Sequence, residues 1–149
     1  MSTAALILDT SVFIKWYRQG EVLAERALVL RKAYLEGQLT ILAPTLCLYE
    51  LANVLRYKDD LTTEEVQSAV QSMFDIGVEW ISPSREILNK AIEIARTYHT
   101  TVYDAVFVAL ATILDMIFIT ADKRLADGLA SLPAVKFLGE LDIESLTSP

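Results

Sequence analysis

Short apolar runs alternate with segments of helical periodicity along the chain. Ala4 to Leu8 is a run of the first kind that ends at Asp9, and its length predicts a buried strand turning into a helix. Leu23, Ala27, Leu30 and Tyr34 recur at helical spacing before Gly37, a helix stop, and Leu39 to Ala43 predicts a second strand closed by Pro44. Thr45 opens a segment in which Leu48, Leu51, Ala52 and Leu55 share one helical face, ended by Lys58-Asp59-Asp60. Thr62 and Glu65 have the spacing of a capping box, and Val66, Ala69, Val70, Met73 and Phe74 follow on a helical face. Val78 to Ile81 reads as a short strand. Ser84 caps a helix carrying Ile87, Leu88, Ala91, Ile92, Ala95 and Tyr98, and Thr101 caps another from Val102 to Leu114. The second of these is apolar nearly all round and is expected at the centre of the fold. Met116 to Thr120 then reads as a strand, Asp122 to Ala130 as a short helix and Ala134 to Leu138 as a final strand. Strands separated by helices predict an α/β fold with a mainly parallel sheet covered on both faces, and ligands at the carboxyl ends of the strands.

Composition narrows the chemistry. The chain has 149 residues with 53% hydrophobic and 22% charged positions, no repeat and no linker, so one domain over residues 1–149 is expected. Thirteen Lys and Arg against 20 Asp and Glu give a net charge of -7, which removes any general attraction to nucleic acid or anionic lipid. A single cysteine, Cys47, rules out an internal disulfide, and a single histidine, His99, rules out a two-histidine acid and base pair or a multi-histidine zinc site. The apolar run Ala105 to Leu114 is too short to span a bilayer, and Met1 to Leu8 lacks a basic leader, so a cytoplasmic protein is expected. Chemistry, if present, falls to carboxylates.

Asp9 follows the first strand and Asp122 follows the strand ending at Thr120, so a parallel sheet brings both to one edge. Asp104 joins them because the helix to Leu114 runs out roughly 15 Å at ~1.5 Å per residue, and the next strand returns roughly 16 Å at ~3.3 Å per residue. Glu50 lies in the second turn of the helix leaving the same edge after the second strand, on a stripe with Leu46, Asn53 and Tyr57. Each acid also has a plainer role: Asp9 and Asp122 as helix caps, Asp104 as part of a cap with Thr101, Glu50 as a solvated helix residue. Together, four acids at one edge repel one another unless a cation neutralises them, and hard oxygen ligands without histidine suit Mg2+ or Mn2+.

Four stretches carry a family resemblance: Leu8-Asp9-Thr10-Ser11-Val12, Tyr49-Glu50-Leu51-Ala52-Asn53-Val54-Leu55, Tyr103-Asp104-Ala105-Val106-Phe107-Val108-Ala109-Leu110-Ala111 and Thr120-Ala121-Asp122-Lys123-Arg124-Leu125. In this order, between Leu8 and Leu138, they resemble the motifs of PIN-domain ribonucleases, in particular VapC-type toxins of toxin-antitoxin modules. The resemblance implies a three-layer α/β/α sandwich and endonucleolytic RNA cleavage. It implies Mg2+ or Mn2+ held by Asp9, Glu50, Asp104 and Asp122, with Ser11 and Thr120 hydrogen-bonding the acids and Asn53 in support. One departure is Asp115, before the fourth strand, where relatives often carry glycine.

Lys15, Arg18, Lys123 and Arg124 are the cations near that edge and the candidates for RNA contact, although surface cations also serve solubility. Trp16 and Tyr17 read as core, Cys47 as a small buried residue, and His99 as a charge against a helix C-terminus. Wide apolar helical positions such as Leu28, Val29, Leu30 and Leu35 suggest a groove for a small antitoxin, and another face a two-fold homodimer. A phosphoacceptor receiver would need paired acids after the first strand, and a haloacid-dehalogenase phosphatase would need Asp where Ser11 stands. A stand-alone PIN nuclease and a non-catalytic acidic-pocket module remain as rivals.

Overall fold

The structure is a computed structural model that describes residues 3–18 and 20–147. Strands β1 (Ala4–Leu8), β2 (Leu39–Pro44), β3 (Glu79–Ile81), β4 (Ile117–Thr120) and β5 (Val135–Phe137) form one sheet in the order β3-β2-β1-β4-β5, every pair parallel. Helices α1 (Thr10–Tyr17), α2 (Ala24–Leu35), α3 (Leu46–Arg56), α4 (Thr63–Asp75), α5 (Arg85–Tyr98), α6 (Val102–Leu114), α7 (Lys123–Gly128) and α8 (Ile143–Thr147) surround it. Leu6, Ile7 and Leu8 point alternately to the two faces of central β1, yet each is at most 1% exposed, so helices cover both faces. This is the expected α/β/α sandwich.

Local chemistry explains the helix starts. Thr62 and Glu65 form the reciprocal capping box at α4. Ser84 Oγ accepts from the Ile87 amide at α5, and Thr101 Oγ1 accepts from the Asp104 amide at α6. Helix α6 is central as its composition requires: Ala105 to Ala111 are all buried, and it packs on β1, β2 and β4 with α5 outside it. Asp115 ends α6 with φ +54°, the left-handed conformation that glycine adopts without strain and Asp tolerates better than most residues.

Several expectations need correction. The buried stripe of α3 is Cys47, Leu51 and Leu55, with Leu48 only half-buried, so the stripe is rotated from the one read off the apolar pattern. Leu30 is fully buried in the core and is unavailable to a partner groove, whereas Val29 and Leu35 are exposed and Leu28 half-exposed. The tail after Leu138 holds a 3-10 turn and α8, held to α2 by Arg26, whose guanidinium donates to the carbonyls of Leu138 and Leu141. Trp16 is core as expected, its indole N–H bonded to the Ala27 carbonyl at 2.9 Å.

Candidate active site

The carboxyl edge of the sheet gathers the acidic residues. Asp9 leaves β1 with its amide still donating to Ile119 of β4, which ties it to the adjacent strand end. Its carboxylate does not cap α1, so the plain role proposed for it fails. Ser11 Oγ donates to Asp9 Oδ2 at 2.6 Å, and Thr120 Oγ1 donates to the same oxygen at 2.8 Å. Each hydroxyl has one proton, and both protons go to Asp9, so the 3.3 Å contact between Ser11 and Thr120 has none to share. The lone pairs of the hydroxyls accept the amides of Ala121 and Asp122, which fixes the start of the β4–α7 loop. Neither hydroxyl reaches Oδ1 of Asp9.

Glu50 is half-buried on α3 and is tied to the same edge by Thr10, whose Oγ1 donates to Glu50 Oε1 at 2.7 Å. Asp104 sits in the first turn of α6 with Thr100 Oγ1 3.4 Å from its Oδ2. Asp122 does cap α7, accepting from the Leu125 amide at 3.2 Å, and still faces the cleft that Asp104 lines. The plain role therefore holds for Asp122 and coexists with its place at the edge.

Burial, first of all, raises the carboxyls of Asp9, Glu50 and Asp104 above the ordinary carboxylate range. Hydroxyl hydrogen bonds oppose the rise at each one, and neighbouring acids add to it: Asp104 acts on Asp9, Asp9 and Asp104 on Glu50, and Asp122 on Asp104. Among the described residues no Lys, Arg or His forms an ion pair with any of the four. The acids thus form an arc of uncompensated like charge.

The PIN domain family matches residues 6–128, which includes all four acids. The chain belongs to the PIN domain family. Solved structures share its fold: a protein from Pyrobaculum aerophilum at 16% identity covers 95% of this chain and 88% of its own, with a TM-score of 0.68. A toxin-antitoxin complex from Klebsiella pneumoniae matches at 18% identity, 91% and 99% coverage and a TM-score of 0.65. VapC20 of Mycobacterium tuberculosis, described as a sarcin-ricin loop cleaving toxin, matches at 13% identity, 85% and 95% coverage and a TM-score of 0.66. A search of curated proteins by sequence found no match.

In this PIN domain the donor chemistry of Asp9, Glu50, Asp104 and Asp122 fits a hard divalent cation, since all are carboxylate oxygens without a counter-charge. Among the described residues, however, no three His, Cys, Asp or Glu side chains are close enough to hold a metal ion as they stand. A cation would have to draw the arc together. The other predicted residues divide. Ser11 and Thr120 brace Asp9, whereas Asn53 is exposed one turn beyond Glu50 and its side chain makes no hydrogen bond among the described residues. Lys15 pairs with Glu21 at 3.3 Å, Arg18 with Asp60 at 2.5 Å and Glu21 at 3.7 Å, and Lys123 with Asp127 at 3.2 Å. Their charges are engaged away from the acids. Thr10 is the residue that sequence reasoning passed over; its place directly after Asp9, inside the first of the four acid-bearing stretches, was the available signal. Cys47 is fully buried, and burial pushes its thiol up, away from nucleophilic use. No helix is long and apolar enough to cross a membrane among the described residues.

Proposed function

We propose that this chain is a metal-dependent endoribonuclease that hydrolyses RNA phosphodiester bonds, acting as the toxin of a type II toxin-antitoxin pair. The observation that carries the reading is the arc of four carboxylates, three of them buried or half-buried, that no cationic side chain compensates among the described residues, on the sheet edge where such folds bind ligands. Asp9 and Asp104 would hold Mg2+ or Mn2+, directly or through water, with Glu50 and Asp122 completing the set. Such an ion supplies charge neutralisation at the phosphate and lowers the pKa of the attacking water. Ser11 and Thr120 hold Asp9 in one rotamer with Oδ1 unclaimed by either hydroxyl, and Thr10 does the same for one oxygen of Glu50. The net charge of -7 would then hinder RNA less at this edge, because a bound ion would offset the carboxylates and attract the phosphate.

The fold likeness to toxins and to a toxin-antitoxin complex supports the antitoxin partner, and exposed Val29 and Leu35 on α2 offer it apolar contact. A homodimer is part of the reading; exposed Tyr49, Leu88 and Tyr103 around an apolar hollow of about 290 Å3 give it a face of suitable chemistry. The deciding experiment incubates the purified protein with single-stranded and structured RNA in Mg2+, Mn2+ or EDTA. Cleavage should require the cation and be lost in Asp9→Asn; cleavage that persists in EDTA overturns the assignment. Expression should arrest a host alone and be harmless when a cognate antitoxin is co-expressed, and a harmless lone protein that still cleaves RNA points to the stand-alone nuclease.

A further inference from the structure

One cleft beside the acid arc has its own character. It is walled by the end of α5, the start of α6 and α7, has a volume of about 540 Å3, and is lined by Asp104 and Asp122 together with Tyr98, His99, Thr100 and Arg124. That volume lies within the roughly 300–1,000 Å3 typical of small-molecule pockets. Its polar lining separates it from the apolar hollow beside Tyr49.

The cations of this edge are not equivalent. Lys15, Arg18 and Lys123 are each matched by a carboxylate, whereas the side chain of Arg124 makes no ion pair, hydrogen bond or ring contact among the described residues. It is exposed and lines a cleft that two of the arc's acids also line, yet pairs with neither. His99, the chain's only histidine, is exposed on the same cleft, placed there by the left-handed turn that ends α5. An unengaged guanidinium offers a planar fork for phosphate oxygens, and an imidazole offers a donor and a flat ring.

We propose that this cleft seats one nucleotide of the substrate strand next to the scissile bond, with Arg124 on its phosphate and His99 against the same nucleotide. The proposal rests on the nuclease reading for its substrate class, and goes beyond it in assigning the subsite, in choosing Arg124 over the other three cations, and in giving His99 a contact. Arg124 and His99 are then positioning residues: they hold the strand and take no part in bond cleavage.

The probe is a nucleoside 3′,5′-bisphosphate such as that of uridine, which has a phosphate at each end of one nucleotide and no internucleotide bond to cut. It is titrated in Mg2+ while the ring resonance of His99 is followed by NMR, an unambiguous signal in a chain with one histidine. The resonance should shift with saturation, and Arg124→Ala should weaken binding about tenfold, the size of a lost charge-assisted contact, with Arg124→Lys recovering part of it. In RNA cleavage, Arg124→Ala should raise KM by a similar factor and leave kcat within about twofold. Lys123→Ala, whose ammonium is already paired, should change neither. A parent that cleaves RNA while the His99 resonance stays put, or an Arg124→Ala protein that binds the bisphosphate as tightly as the parent, overturns the subsite. A parent that binds the bisphosphate at His99 but cleaves no RNA overturns the nuclease reading and leaves the nucleotide cleft standing.

Discussion

The two ends of the acid arc are built differently. At one end Asp9 is 7% exposed, and two hydroxyls, both within hydrogen-bond distance and one of them fully buried, spend their protons on it. At the other, Asp122 is exposed, caps a short helix and lines with Asp104 a polar cleft of about 540 Å3. Burial makes the first end a point where stability and chemistry share the same atoms, while the second can change charge at little structural cost. The same sequence feature, an Asp just beyond a strand, yields two physical situations because Asp9 directly follows β1, the middle strand of the sheet, whereas Asp122 lies two residues beyond β4 and caps α7.

The sharpest way to break this contrast is Thr120→Val. It removes a donor to a buried carboxylate and the acceptor for the Asp122 amide without changing volume much, and should cost about 2–3 kcal/mol. That corresponds to roughly 5–10 °C in Tm for a chain of this size. Thr100→Val, at the open end with a 3.4 Å contact to Asp104, should cost less than about 0.5 kcal/mol. Equal losses in chemical denaturation would remove the distinction between the two ends.

A second test uses pH. Asp9, Glu50 and Asp104 have folded-state pKa values raised, chiefly by burial, so between the unfolded and the raised folded value the native state holds more protons than the unfolded chain. The penalty is fully present above the folded values and disappears once pH falls below the unfolded ones. In EDTA the protein should therefore melt higher as pH drops from 7 into the mildly acidic range. Asp60 works in the opposite sense: the Arg18 hydrogen bond lowers its pKa, and that contribution is lost as pH falls through the lowered value. A melting curve that only declines from neutral pH would contradict the uncompensated arc. The smallest expected effect is at the rim, where Lys123→Ala breaks an exposed pair with Asp127 and should shift stability by less than about 0.5 kcal/mol.

How far the sequence carried these conclusions depends on the range of the interactions. Thr62 with Glu65, Ser84 with Ile87 and Thr101 with Asp104 are contacts across three residues, legible as local spacing and found as read. The joint placement of Asp9, Asp104 and Asp122 needed only the parallel sheet and two element lengths. What stayed hidden depends on pairings that topology alone creates. Arg18 meets Asp60 across 42 positions, and Thr10 meets Glu50 across 40, and nothing in either neighbourhood announces its partner. Leu30 is a different case: its helical stripe with Ala27 was legible, but the adjacent apolar residues Leu28 and Val29 made all three look open to a groove, and only the packed fold separates them. The paired state of Lys15 and Lys123 likewise follows from side-chain reach and not from type.

The central claim is that Asp9, Glu50, Asp104 and Asp122 form one site whose missing counter-charge is a divalent cation. Its most direct test is a set of thermal melts at pH 7 of the parent, Asp9→Asn and Asp104→Asn, each in EDTA and across a Mg2+ titration. The account predicts that Asp104→Asn melts above the parent in EDTA, because a repelling charge is gone, and that Mg2+ stabilises the parent by binding the folded state while both variants lose most of that shift. If Asp104→Asn melts below the parent in EDTA and keeps the full Mg2+ response, Asp104 serves only its helix and the site as described is wrong.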